Sequence, residues 1–85
     1  MKGEMMVKTQ NVILFSTPTC SWCRKLKNFL KEIRIRFKEI DVSRDPGALR
    51  DMVKKSGQRG VPQTWVNNYP VIGFDIDKLK KLLEI

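Results

Sequence analysis

Two cysteines three residues apart, Cys20 and Cys23, stand where a strand-like run gives way to a helix-like run. The apolar run before them, residues 12–15, is typical of a strand buried on both faces. After them, apolar residues recur at helical spacing at Leu26, Phe29, Leu30 and Ile33. A C-x-x-C pair at such a junction in a small chain predicts a redox dithiol.

The rest of the chain predicts the order strand, helix, strand, helix, strand, strand, helix. Residues 36–42 alternate between apolar and charged and predict a second strand, parallel to the first because a helix intervenes. Asp45-Pro46 predicts the start of the second helix and Gly57 its end.

Asn67-Asn68 predicts a hairpin turn between the last two strands, and Pro70 predicts that the last strand lies at a sheet edge. Asp75 is the expected cap of the closing helix. The pattern βαβ then ββα is that of an α/β protein with a thioredoxin-like fold, in which a four-stranded mixed sheet is flanked by three helices. Residues 12–85 are the expected domain, and residues 1–11 a flexible leader or a short extra strand.

Size and composition restrict the function further. The chain has 85 residues, which suits one small domain. A closed Cys20–Cys23 bond would add little stability because its ring is short, which favours chemistry over architecture. No apolar run approaches the about 20 residues that span a bilayer, and none resembles a signal peptide. We therefore expect a cytoplasmic protein with no membrane partner, acting as a monomer.

The net charge of +8 has two interpretations. The simpler one is a solvated, basic surface. The alternative is a positive face around Cys20 that stabilises a thiolate and attracts acidic partners, built from Arg24, Lys25, Lys27 and Arg59. No nucleic-acid motif accompanies the charge, so a nucleic-acid partner is not expected.

The position of each cysteine predicts its role. Cys20 falls at a helix N-terminus, where free N–H groups and the helix dipole favour a thiolate. Cys23 lies one helical turn inward and should be the less exposed sulfur. We therefore expect Cys20 to attack a substrate disulfide and Cys23 to resolve the mixed disulfide.

A metal site is the alternative use of the pair. A closed zinc site needs four ligands, and the chain has no histidine and no third cysteine. Only a homodimer that pools two pairs around zinc or an iron–sulfur cluster meets that requirement.

A second motif, Gly60-Val61-Pro62, stands before the third predicted strand. Its proline cannot donate to a sheet ladder and so marks the entry to a strand. Two interpretations are open. It is an ordinary trans proline in a loop, or a cis proline beside the dithiol that leaves the Val61 backbone free for an extended substrate.

Three motifs together resemble the glutaredoxin family, and most closely its small glutaredoxin-like and NrdH-type members in prokaryotes. They are Thr17-Pro18-Thr19-Cys20-Ser21-Trp22-Cys23, Gly60-Val61-Pro62 and Ile72-Gly73-Phe74-Asp75. The resemblance extends over residues 12–83. It implies a thioredoxin fold, a cis Pro62 and a groove for glutathione or another disulfide substrate. The groove residues that it implies are Trp22, Arg59, Val61, Pro62, Gly73 and Asp75.

Three departures from the family pattern change the expected electron donor. Thr17 replaces a common lysine, Phe74 replaces the second glycine of a Gly-Gly turn, and Ile76 replaces the first of two acids, while Asp77 matches the second. A remodelled groove would bind glutathione less well. The expected donor therefore shifts from glutathione towards a flavin-containing reductase that resembles thioredoxin reductase.

Two further side chains near the dithiol are open to interpretation. The hydroxyl of Ser21 either donates to the Cys20 thiolate or caps the helix. Trp22 is expected to be partly exposed and to contact the substrate, whereas Trp65 is expected to pack in the core. The sequence thus predicts a dithiol thiol–disulfide oxidoreductase that reduces protein disulfides, carries electrons for cell redox homeostasis and needs no cofactor besides its own Cys20–Cys23 disulfide.

Overall fold

The computed structural model describes residues 11–85, so the leader or extra strand expected for residues 1–11 lies, except for Asn11, outside the described residues. In the described part, the elements follow the predicted order. The strands are β1 (Val12–Ser16), β2 (Lys38–Asp41), β3 (Gln63–Val66) and β4 (Tyr69–Ile72). The helices are α1 (Ser21–Glu32), α2 (Pro46–Ser56) and α3 (Ile76–Leu83).

The strands form one mixed sheet in the order β2-β1-β3-β4. β1 is parallel to β2 and antiparallel to β3, and β3 and β4 form an antiparallel hairpin. This confirms the predicted fold class, the parallel first pair and the edge position of Pro70. The register that pairs Phe15 with Gln63 sets the end of β1 beside the start of β3. The segment that carries the dithiol therefore lies next to Val61-Pro62.

The second strand is shorter than predicted, because the chain is still turning out of α1 where residue 36 begins the alternating pattern. Arg34 has a positive φ of 60°, and the N–H of Ile35 still donates to the carbonyl of Leu30. Pairing with β1 begins only at Lys38. Phe37 packs against the core from outside the strand.

Local caps fix the ends of the helices. The carboxylates of Asp45 and Asp75 accept from backbone N–H groups at the starts of α2 and α3, as predicted. Gly57 ends α2 with a left-handed φ of 75°, also as predicted. Asn67 and Asn68 both have positive φ and form the hairpin turn between β3 and β4.

Helices cover both faces of the sheet. One core cluster joins the sheet to α1 and α3, and its buried members are Val12, Leu14, Leu26, Leu30, Val66, Val71, Leu79 and Leu83. The other joins Phe15 and Val42 to Met52 of α2. Among the described residues, no helix is long and apolar enough to cross a membrane.

Candidate dithiol active site

Cys20 is the N-cap of α1, and its sulfur is part of the cap. The backbone N–H of Cys23 donates to Cys20 Sγ at 3.1 Å, and the backbone of Cys20 is extended, as at an ordinary N-cap. The side chain is half-buried and remains accessible. The first turn of α1 and the positive end of its helix dipole therefore point at this sulfur.

Cys23 is the inward sulfur, as predicted. Its side chain is only 3% exposed, and both cysteines are free thiols. Burial is the main cause that raises the pKa of the Cys23 thiol, from 9.0 to about 12. The hydrogen bond to Cys20 and the charges of Cys20 and Glu39 raise the pKa further, whereas a hydrogen bond with the Thr17 backbone lowers it.

The segment before β3 lies against the accessible cysteine. Cys20 Sγ is 3.9 Å from the carbonyl oxygen of Val61, and the Val61–Pro62 peptide bond is cis, as the family resemblance implies. The N–H of Gly73, directly after β4, donates to the carbonyl of Pro62 at 2.9 Å. The fold thus brings four predicted site residues together: Cys20, Val61, Pro62 and Gly73.

Trp22 forms a second side of the site with Phe74. The ring centroids are 5.3 Å apart with a tilt of 47°, so α1 contacts the loop after β4. Trp22 is 52% exposed and Phe74 40% exposed. The ammonium group of Lys25 lies 4.4 Å from the centroid of the Trp22 ring. Trp22 is therefore partly exposed, as predicted, while Trp65 packs against Phe15, with ring centroids 4.6 Å apart and a tilt of 58°.

Arg59 and Asp75 are placed differently from the other predicted groove residues. Arg59 lines a cavity of about 490 Å³ along α2, beside Leu49 and Val53. Asp75 caps α3 through a 3.2 Å hydrogen bond from the N–H of Lys78, and it borders a separate hollow next to Phe74. A substrate-binding role for either residue stays a prediction.

The basic residues near the dithiol have several partners. Lys27 pairs with Glu39, with 3.2 Å between Nζ and Oε1. Arg24 donates to the carbonyl of Pro18, Lys25 lies over Trp22, and Arg59 lines the cavity along α2. A positive face around Cys20 stays a prediction.

The structure also decides the role of Ser21 as a cap. Ser21 is the first residue of α1, and the N-cap position belongs to Cys20, so the prediction that Ser21 caps the helix is wrong. Among residues 11–85, no cluster of three or more His, Cys, Asp or Glu side chains could hold a metal ion. The metal- or cluster-bridged homodimer, which would draw ligands from two chains, stays an untested alternative.

Sequence reasoning missed the role of Gln63. Its fully buried side-chain amide donates to the carbonyls of Gln58 and Gly60 at 2.9 Å each. These bonds hold the loop that leads to Val61. Only the position of a polar residue directly after Pro62, at the start of β3, hints at this role in the sequence.

Comparisons with known proteins agree with this geometry. The family model described as Glutaredoxin matches residues 12–71. A glutaredoxin-like 8.6 kDa protein from the rubredoxin operon of Clostridium pasteurianum is 37% identical, over 84% of this chain and 95% of its own length. Glutaredoxin 3 of Escherichia coli K12 is 28% identical, over 76% and 78%. The crystal structure of the thioredoxin-like protein BC3987 superposes with a TM-score of 0.80 and 29% identity, over 86% and 100%.

Proposed function

The chain belongs to the glutaredoxin family, and we propose that this thiol–disulfide oxidoreductase is a dithiol reductase of protein disulfides. The observation that carries the proposal is the asymmetry of the two sulfurs. Cys20 is accessible and accepts a hydrogen bond from the first turn of α1, whereas Cys23 is buried behind it. One thiol is therefore suited to attack and the other to resolve.

The reaction proceeds in two exchanges. The Cys20 thiolate attacks one sulfur of the substrate disulfide, a Cys20–substrate bond forms, and the other substrate sulfur leaves as a thiolate and takes up a proton. Cys23, once deprotonated, attacks Cys20 Sγ and displaces the second substrate thiolate. Two electrons pass to the substrate, and the protein is left with a Cys20–Cys23 disulfide.

Val61 supports an extended polypeptide as the substrate. Its carbonyl lies beside Cys20, and its segment leads directly into the sheet. A substrate strand could pair with its backbone, with the substrate cysteine at the attacking sulfur. Gly73, directly after β4, lies beside this segment because its N–H donates to the carbonyl of Pro62.

The aromatic pair Trp22 and Phe74 supports a protein rather than glutathione as the partner. Exposed aromatic rings next to a reactive group are typical of protein contact sites. Phe74 also occupies the position where the family carries a second glycine, and its ring contacts Trp22 at the end of the proposed groove. We propose that a flavin-containing disulfide reductase, rather than glutathione, returns the electrons.

The decisive experiment measures reduction of a fluorescent protein disulfide by the wild type, Cys20→Ser and Cys23→Ser. We expect Cys20→Ser to be inactive and Cys23→Ser to accumulate a mixed disulfide visible by mass spectrometry. Turnover by Cys20→Ser would refute the proposal. A parallel assay with glutathione plus its reductase, and with thioredoxin reductase, identifies the donor.

We further propose two properties. The protein acts in the cytoplasm, and it acts as a monomer without a resident cofactor. A size-exclusion experiment on protein purified without oxygen tests the second, because a coloured or metal-containing dimer would contradict it.

A further inference from the structure

A polar cavity of about 390 Å³ reaches the resolving thiol from the side of β2. It is a different cavity from the one that Arg59 lines. Its polar lining includes the hydroxyl of Ser16 and the titratable side chains of Cys23, Arg24, Lys27, Glu39 and Asp41. A space of this size and polarity admits water. The buried thiol therefore has a route to solvent that does not pass Cys20.

Glu39 borders this cavity with a side chain that is 37% exposed and held by partners on two other elements. The hydroxyl of Ser16, itself only 3% exposed, donates to Oε2 at 2.9 Å. Lys27 Nζ donates to Oε1 at 3.2 Å and to Oε2 at 3.5 Å. Ser16 belongs to β1 and Lys27 to α1, so both elements hold the carboxylate of Glu39. A fixed negative charge therefore lines the cavity that reaches Cys23.

The charge of Glu39 acts on Cys23 in the same direction as burial. Burial is the largest cause of the high pKa of Cys23, and the hydrogen bond and charge of Cys20 and the charge of Glu39 add to it. The contributions of Cys20 depend on its being a free thiol or thiolate. Once Cys20 is bonded to a substrate sulfur, its charge is gone, and burial and Glu39 are left to oppose ionisation of Cys23.

We propose that Glu39 is a positioning residue whose fixed charge disfavours ionisation of Cys23 both before and after Cys20 has reacted, and so limits the rate of the resolving step. This inference rests on the proposed function and concerns the regulation of the resolving step at the same site. While Cys20 is a thiolate, a protonated Cys23 donates a hydrogen bond to it and cannot itself compete as a nucleophile. Lys27 limits the effect by opposing the charge of Glu39.

In the mixed disulfide, Cys23 gives its proton to water or a buffer base in the cavity. Its thiolate attacks Cys20 Sγ, the Cys20–Cys23 bond forms and the Cys20–substrate bond breaks. The substrate sulfur leaves as a thiolate and is protonated by solvent.

The test uses charge changes of opposite sign. Glu39→Gln keeps the shape and can still accept from Ser16, but it removes the negative charge. Lys27→Gln removes the opposing positive charge. Stopped-flow mixing of each reduced variant with a peptide disulfide that carries a chromogenic thiol on each side reports both releases. The first release measures attack, and the second measures resolution across a range of pH.

We expect Glu39→Gln to resolve faster at neutral pH, and its pH–rate curve to shift to lower pH. The gain should be less than about threefold, because a full pKa unit would raise the thiolate fraction about tenfold and lower its nucleophilicity by about a factor of three, and the charge of Glu39 is the smallest of the causes that raise the pKa of Cys23. Lys27→Gln should change the rate in the opposite direction, and the double variant should lie near the wild type. Glu32→Gln, which changes the same charge at the exposed end of α1, is the matched control and should resolve at the wild-type rate.

Resolution by Glu39→Gln at or below the wild-type rate would overturn the proposal, and so would a shift of the same sign in Lys27→Gln. Neither result affects the proposed function, which depends on the inactivity of Cys20→Ser. If Cys20→Ser keeps turnover, the proposed function fails first.

Discussion

The backbone N–H of Cys23 donates to the sulfur of Cys20 at 3.1 Å, so Cys20, the proposed attacking thiol, is also the N-cap of its own helix. The cap and the chemistry therefore use one atom. Any substitution of Cys20 removes the reactive thiol, but serine keeps a side-chain cap and alanine does not. That separation gives the first prediction.

Cys20→Ser should fold with nearly the stability of the wild type, because serine is a good N-cap. Cys20→Ala should lose about 0.5–2 kcal/mol of unfolding free energy, the usual cost of removing a cap. Both variants should be inactive. Urea unfolding of the two reduced variants measures the difference, and equal stabilities would show that the sulfur contributes nothing as a cap.

The high pKa of Cys23 predicts a loss of stability in alkali for the reduced protein. Well below about pH 8.5 the thiol is protonated in both the folded and the unfolded chain, so it has no effect on the free energy of unfolding. Above that, the unfolded chain releases the proton first, because the pKa of the folded thiol is about 12. Unfolding is then favoured increasingly up to the folded pKa.

Urea unfolding of the reduced wild type and of Cys23→Ser at about pH 8 and about pH 10 measures this effect. Lysine ionisation affects both proteins alike, so the wild type should lose more stability than the variant over that interval. An identical loss in the two proteins would contradict the assignment of the high pKa to Cys23.

The side chain of Phe74 is expected to influence which electron donor the protein uses. Phe74→Gly recreates the Gly-Gly turn that the family resemblance implies and removes the ring that contacts Trp22. We expect glutathione-driven turnover to rise about tenfold, which corresponds to about 1.4 kcal/mol of added binding. Reduction by a thioredoxin-reductase-like donor should fall or stay constant.

Phe74→Leu is the matched control, because a branched apolar side chain keeps that end of the groove narrow. Its glutathione-driven rate should resemble that of the wild type. Equal rates in Phe74→Gly and Phe74→Leu would show that the ring does not govern the choice of donor.

The buried amide of Gln63 is expected to support the segment at Val61 that we propose contacts the substrate. Gln63→Met keeps the volume but removes both hydrogen bonds to the loop at residues 58–60. We expect a loss of about 1–2 kcal/mol of unfolding free energy and a higher KM for the protein disulfide, because Val61 is held less firmly. The rate at which iodoacetamide modifies Cys20 should stay unchanged.

Gln58→Ala is the comparison variant for this change. It removes an exposed side chain and keeps the backbone carbonyl that accepts from Gln63. Its stability and KM should match those of the wild type. A KM effect in Gln58→Ala as large as that in Gln63→Met would place the cause in the loop surface rather than in the buried amide.

Local patterns predicted most of the fold because their causes are local. Asp45, Gly57, Asp75 and the Asn67-Asn68 turn act on backbone groups within a few residues, so short stretches of sequence suffice to recognise them. The dithiol belongs to the same class, since Cys20 and Cys23 meet across a single helical turn. The extent of β2 was misjudged because the turn at Arg34 has no clear sequence signal.

The sequence by itself determined the order of the elements, the caps of α2 and α3 and which of the two sulfurs is buried. Only the tertiary structure decided that Phe74 meets Trp22, that Gln63 holds the loop before Val61, and that Glu39 lines the cavity behind Cys23. The physical reason is that these contacts join residues on different elements. Their distances depend on strand register, sheet twist and the seating of α1 on the sheet, which no local stretch of sequence encodes.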